Sequence, residues 1–572
     1  MIIRLFVFLF CMLAALAAQT STSSISGTIT DPTGAIIPGA GVTLTSEETG
    51  VISRQTATEA GVYSFPALPV GSYTVTVEQK GFKTARRVKN VLAVATPSTV
   101  DVVLEVGDTV EVVTVEAAAE QLQTSNATIG SVVTEKAIVE LPLNGRNPLN
   151  LLVLEPGVVQ RSAGALGTGV HVNGSRDMSS NVTIDGIDAN EGSVPGATKN
   201  VYRINPDNIR EYKVTTSNAT AEEGRNSGAS VSVATRSGTN EFHGTIFEFF
   251  RNTALNANEF FSNALGNPKP DIKLNQYGVE IGGPIRKNRT FFFASWQGQK
   301  INFSQPVDQT FGEPPDLYTP SARAGVFRYW VSDPSTPFTL DGQRITRNTP
   351  LLVDRFSGQL RPEVRTCGSP TDTNCVASYN FAADDPRRLG VDPTVRQLLD
   401  KLPLPNSYQT GDGLNTAAYF WNTPTKVRGP SWLVRIDHNF NEKHSLFGRY
   451  LHGQQDTIGG DPNNGRPQLY PGFPPLGEVF RSSRNLAVGL RSVLGPRVVN
   501  EMTLGFGRFG YLFTKGEANP EFLNLPAYAR TNGTGATNGF NNVDPGVLNN
   551  PRTYRAVTTP QVVENLTIIS GS

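Results

Sequence analysis

The chain of 572 residues carries 50 Lys and Arg against 50 Asp and Glu, a formal net charge of zero. No basic block is present, so there is no footing for a nucleic-acid partner, which requires clustered cations. Only 17% of the residues are charged, and 55 glycines with 30 phenylalanines favour strands and turns over helices.

The N-terminus, "MIIRLFVFLFCMLAALAAQTSTSS", combines the cation Arg4, an apolar stretch from Leu5 to Leu16 and the small residues around Ala17-Ala18. This pattern predicts a signal peptide over residues 1–18 and therefore export. The apolar run falls short of the roughly 20 residues that a spanning helix needs. Cys11 lies inside it and follows Phe10 rather than a small residue, which argues against a lipoprotein site. Cys367 and Cys375 would then be the cysteines of the mature chain. They bracket the loop-like "GSPTDTN", and an exported location permits a disulfide between them. A metal pair would need two more ligands, which the sequence does not offer. No other run approaches the length of a membrane helix, which leaves soluble export, surface attachment or a barrel whose alternating strands escape hydropathy detection.

From residue 24 to 105, runs such as "SISGTITD", "GVTLTS", "GVYSFPAL" and "GSYTVTVE" are separated by Gly, Pro and Asp. Regularly spaced short strands predict a small β-sandwich. Gly27, Asp31, Gly34, Pro38, Gly39 and Ala40, followed by Gly61, Tyr63, Phe65, Leu68, Gly71, Tyr73, Gly81 and Phe82, resemble the carboxypeptidase regulatory-like domain, an immunoglobulin-like or transthyretin-like module. Such modules ride on many exported proteins and fix no function.

Residues 106–120 contain "GDTVEVVTVEA". One reading is a last strand of the sandwich or a linker strand. The other is a segment that adds as an edge strand to a periplasmic partner. Asp108, Thr109, Val110, Glu111, Val112 and Val113 resemble such a segment, a TonB box, in composition and location.

Residues 121–240 mix short helical and strand patterns into a compact α/β domain without a long amphipathic helix. Thr134 is a fair N-cap for "EKAIVE", and Pro142 stops that helix. "LPLNGRN", "VNGSRDMSSNVTIDGID" and "EEGRNSGASVSVATRSGTNEFHG" are similar to the plug and first barrel strand of TonB-dependent outer-membrane receptors, Oar-like subgroup. Asn144, Gly145, Arg146, Asn173, Gly174, Arg176, Asp185, Gly186 and Asp188 fall where the plug motifs place them, with structural roles. Asn173-Gly174 and Asp185-Gly186 also favour tight turns with positive φ.

The remainder, residues 241–572, alternates. Tyr277, Val279 and Ile281, then Trp432, Val434 and Ile436, then Met502, Leu504 and Phe506, sit between polar or small residues. Apolar-out, polar-in alternation is the signature of part of a transmembrane antiparallel β-barrel. "PIRKNR" and "NFNEKH" read as short periplasmic turns, and the polar stretch 302–428 as extracellular loop.

Chemistry is scarce. None of His171, His243, His438, His444 and His452 opens an HExxH or His-x-x-Glu pair, and no nucleophile elbow or P-loop is present. "GFGRFG", Gly505 to Gly510, spells a dinucleotide fingerprint but lies in an alternating strand without a following helix, so it carries no phosphate site. Asp185 and Asp188 lack the spacing of a calcium loop. The reading is therefore not an enzyme, with no catalytic residue, metal or cofactor. Asp185 is expected to accept hydrogen bonds within its own turn.

The resemblance implies a Gram-negative outer-membrane receptor that takes up a bulky ligand. Its partners would be a TonB-type periplasmic energy-coupling protein, outer-membrane lipid and an extracellular oligosaccharide, peptide or siderophore. The alternative is an exported carbohydrate-binding or adhesion protein, in which Tyr63 or Tyr73 could stack on sugar, although both fit core positions and the core is the favoured role. Barrels of this kind have about 22 strands, and about six or eight can be placed here at roughly ten residues each. The last strand, "QVVENLTIISGS", lacks a terminal aromatic residue. Both features raise the expectation of a fragment of a longer protein.

Overall fold

The computed structural model describes residues 21–108, 112–116, 127–143, 145–160, 169–176, 179–191, 201–221, 223–224, 227–264, 266–307, 314–495, 497–516 and 551–569. The signal peptide expected over residues 1–18 lies outside them, as do Thr109, Val110, Glu111 and Asn144.

The first domain is a two-sheet sandwich. Its strands are β1 (Ser23–Thr30), β2 (Gly41–Ser46), β3 (Ile52–Thr56), β4 (Val62–Leu68), β5 (Gly71–Glu78), β6 (Thr84–Leu92), β7 (Ser98–Thr99), β8 (Val102–Val103) and β9 (Val112–Glu116). One sheet runs β4-β1-β7, with β8 also on β1; the other runs β3-β2-β5-β6-β9. Along β1 every second residue is buried, the period that a half-buried strand imposes. Ile25, Ile29, Leu44, Phe65, Val75 and Val77 fill the space between the sheets. Tyr63 and Tyr73 are only 1% and 6% exposed, with hydroxyls donating to Val100 O at 2.5 Å and Pro69 O at 2.8 Å. Both are core residues, so neither offers a sugar-stacking face. Strand β9 pairs parallel with β6, Thr84 opposite Val112 through Val88 opposite Glu116.

The central domain contains β10 (Ile129–Thr134), β11 (Val158–Gln160), β12 (Val170–Val172), β13 (Asn181–Ile184), β14 (Ile187–Asp188), β15 (Ile209–Ser217) and β16 (Ser230–Thr235). Its sheet runs β10-β15-β16-β13-β14, beside a β11-β12 hairpin. The short helix Glu135–Glu140 follows Thr134, whose side chain makes no capping bond. Leu149, Leu152, Tyr212, Val231 and Val233 form the core, and Phe293, Leu433 and Leu451 of the third domain belong to the same cluster.

The third domain is an eight-stranded antiparallel sheet. Its strands are β17 (His243–Asn252), β18 (Ile272–Arg286), β19 (Thr290–Pro306), and then, numbered after six short strands in the intervening segment, β26 (Asn422–Asn439), β27 (His444–Ile458), β28 (Val479–Gly495), β29 (Val498–Phe513) and β30 (Thr553–Ile568). The six short strands are β20 (Asp316–Tyr318), β21 (Val326–Val331), β22 (Phe338–Leu340), β23 (Gln343–Ile345), β24 (Cys375–Asn380) and β25 (Thr416–Ala418). The order β17-β18-β19-β26-β27-β28-β29-β30 leaves β17 and β30 as open edges among the described residues. Val434, Ile436, Leu486, Leu490, Leu504 and Phe506 are exposed on one face, while Arg435, Arg449, Ser483, Asn485 and Thr503 are buried on the other. A water-soluble sandwich has the opposite polarity; this is a wall with lipid outside and a polar lumen inside. Glycines on the lumen face admit the central domain. A Cβ on Gly505 would lie 2.4 Å from Ile187 Cδ1, and one on Gly507 would lie 2.6 Å from the Tyr202 hydroxyl.

The sandwich contacts the short-turn end of the sheet, where Arg54 pairs with Glu442, Asn240 donates to Thr49 O at 2.6 Å and Arg491 donates to Pro66 O. At the other end, β19 and β26 extend so far that the long connection narrows to residues 307–421. Its described part is more than a polar loop. Trp330, Leu340, Ile345, Leu352, Val376 and Leu414 form a separate core, and Cys367 is disulfide-bonded to Cys375.

Candidate functional site

Asp185 and Gly186 form the two-residue turn between β13 and β14, with Ile184 opposite Ile187. Their φ angles are 49° and 80°, the paired positive values that an Asp-Gly hairpin turn supplies at little steric cost. Asn173 and Gly174 repeat the geometry at 48° and 78°. The turn pushes the Asp185 side chain into the lumen wall.

Asp185 is 3% exposed and bonds well beyond its turn, correcting the expectation of local hydrogen bonds. Its Oδ1 accepts from Thr235 N at 3.0 Å and its Oδ2 from Thr235 Oγ1 at 2.9 Å. Arg449 Nε reaches Oδ2 at 2.9 Å and Arg435 Nη1 reaches Oδ1 at 3.3 Å. The two arginines face each other across the β26–β27 pair, where like charges repel. Asp185 sits between them and removes that cost. Arg449 also donates to Ile184 O at 2.9 Å and to Asn485, and Arg435 pairs with Asp437 at 2.8 Å. Burial works to raise the Asp185 pKa, but Arg449 and then Arg435 outweigh it and hold the carboxyl below the ordinary 3.8. The group is therefore ionised at neutral pH.

Asp188 does not join this cluster. Its carboxylate accepts from Asn190 N at 2.7 Å, and its backbone N–H donates to Gln561 of β30 at 3.0 Å. His171 lies against Ser175 O at 2.8 Å, and Arg176 is exposed. The pair of aspartates is thus split between a wall contact and a turn, with no shared ligand.

Arg146 carries the second contact. It and Gly145 both take positive φ, 52° and 82°, which turns the guanidinium onto β17, 3.8 Å from the Phe249 ring centroid and 5.0 Å from that of Phe247. Asp207 pairs with it. Further links follow the same logic: Arg236 to Glu280 at 2.7 Å, Asn205 to Ser431 at 3.1 Å and Arg203 to Gln455 at 2.6 Å. Arg449, Arg236 and Asp207 escaped the sequence reading. The available signal was parity: Arg435 and Arg449 occupy lumen-facing positions of alternating strands, where a charge needs a partner.

The arrangement can hold one domain inside a polar wall through charges that stay paired. Among the described residues no group of three or more His, Cys, Asp or Glu could bind a metal.

Comparison with known proteins agrees. The outer membrane beta barrel domain family matches residues 234–572, the TonB-dependent receptor plug domain residues 121–231 and the carboxypeptidase regulatory-like domain residues 24–105. The TonB-dependent transporter Oar of Myxococcus xanthus is 28% identical over 295 residues, covering 49% of this chain and 27% of that protein. Among solved structures, the ferric enterobactin receptor PfeA of Pseudomonas aeruginosa aligns at 10% identity with a TM-score of 0.40, over 76% of this chain and 45% of PfeA. The outer membrane transporter YddB of Escherichia coli aligns at 12% identity with a TM-score of 0.37, over 67% and 39%. The chain thus spans about a quarter of its curated relative and under half of these receptors.

Proposed function

Because the chain belongs to the outer membrane β-barrel family, as a TonB-dependent receptor of the Oar-like kind residing in the outer membrane, we propose that it takes part in uptake of a bulky extracellular ligand into the periplasm. Energy reaches it from the inner membrane through a TonB-type protein. No bond is made or broken; the plug shifts and access changes.

The observation that carries this reading is the plug seated against the lumen wall through Asp185, Arg435 and Arg449. The plug is held by paired charges and glycine contacts as well as by an apolar contact with Phe293, Leu433 and Leu451, so its movement exchanges a small set of discrete contacts. The segment Asp108 to Val113 is proposed as the point where the partner pulls. Its described end, Val112 and Val113, lies in β9, the outermost strand of its sheet, and Val112 is 58% exposed. An edge strand offers unpaired backbone groups to an incoming strand.

The test is capture of the full chain by the purified periplasmic domain of a TonB-type protein. Wild-type chain is retained, and Val113→Pro, which removes a ladder donor, is not. Equal retention of both would refute the assignment of the box.

A further inference from the structure

On the lipid-facing side of the sheet, residues line up in rows set by the strand register. One row crosses β26 to β30 as Ile436, Gly448, Val488, Leu504 and Val562, and the next outward as Val434, Tyr450, Leu486, Phe506 and Pro560. Both rows suit hydrocarbon. The row after that reads Trp432, His452, Arg484, Arg508 and Thr558. Two arginines and a histidine therefore sit side by side, one pleat repeat beyond the apolar rows, about 7 Å. They lie towards the end that carries the long connections.

Arg484 and Arg508 are both exposed and directly opposed across β28 and β29. Cross-strand like charges are destabilising unless an anion lies between them. Inside the lumen the same problem arises for Arg435 opposite Arg449, and there Asp185 resolves it. Outside, among the described residues, no carboxylate engages either guanidinium. The acid in the same groove, Asp456, is two rows further out and is held by Gln454 Nε2 at 2.8 Å. The aromatic neighbours Trp432 and Tyr450, 5.1 Å apart, mark this level as the interface, where such rings concentrate. Nδ1 of His452 is enclosed without a hydrogen-bond partner.

We infer that Arg484, Arg508 and His452 form a binding site on the outer wall for the phosphorylated headgroup of an outer-leaflet glycolipid. Two opposed guanidiniums supply forked donors to phosphate oxygens, and the apolar rows beneath receive the acyl chains. The inference rests on the outer-membrane placement of the sheet and is independent of transport.

The test is native mass spectrometry of the full chain in detergent, titrated with bisphosphorylated lipid A, its dephosphorylated form and inorganic phosphate. Wild type should bind bisphosphorylated lipid A roughly 30-fold more tightly than the Arg484→Ala/Arg508→Ala variant does, at about fivefold per arginine. Arg484→Lys/Arg508→Lys keeps both charges but loses the forked geometry, so its affinity should fall between those of wild type and the alanine variant. Equal binding of the dephosphorylated lipid to wild type, or unchanged binding by a folded alanine variant, overturns the proposal. So does displacement of lipid A by equimolar inorganic phosphate, which would make this a free-anion site. If the alanine variant fails to fold, the comparison of the two lipids on wild type still decides.

Discussion

Asp185, on a plug turn, lies 2.9 Å from Arg449 Nε and 3.3 Å from Arg435 Nη1, so one acid is shared by two cations on neighbouring barrel strands. Deleting that charge takes the paired acid from the buried Arg449 and leaves Arg435 with Asp437 alone. Asp185→Asn is expected to destabilise plug seating by about 3–5 kcal/mol. Hydrogen exchange of β13 and β16 amides reads this directly, and unchanged protection would show that the ion pairs contribute nothing.

The same carboxyl sets a pH limit. Its folded pKa is lower than the ordinary 3.8, so its stabilising contribution is complete above that value and is lost as pH falls through the depressed one. Plug protection measured from pH 7 down to pH 4 should stay level and then drop below pH 3.8. A decline already at pH 5 to 6 would assign the effect to another group.

Gly505 admits the plug by having no side chain. Gly505→Val would force atoms into the space of Ile187 Cδ1, 2.4 Å from the added Cβ, costing about 1–3 kcal/mol by overpacking. The second change Ile187→Ala should recover part of that loss in thermal unfolding. If the pair is no better than the single variant, the close approach is not the cause.

The disulfide closes a short segment, with Cys367 and Cys375 eight residues apart. On chain-entropy grounds Cys367→Ser should cost the module around Trp330 and Leu352 about 2.5 kcal/mol. Limited proteolysis within residues 314–421 should speed up, while the fragments of β26 to β29 stay protected. Parallel loss in both regions would mean that the module and the barrel wall unfold together.

Local chemistry made much of this protein legible from its sequence. Strand alternation in "WLVRIDHNF" and "NEMTLGFG" determines which residues face lipid, because successive side chains must point to opposite faces. Asp185-Gly186 determines a tight turn, because adjacent positive φ angles strongly favour such residues. What the turn was for could not be read there. The partners of Asp185, at positions 435 and 449, lie 250 and 264 residues away, and register between strands is set by pairing rather than by any local signal. Only the tertiary structure decided that Gly505 faces Ile187, that Tyr63 and Tyr73 belong to a core, and that β9 docks beside β6. It also decided that Arg435 opposes Arg449 inside the wall as Arg484 opposes Arg508 outside. Those facts depend on which strands become neighbours, and that choice is made by the packing of the whole chain.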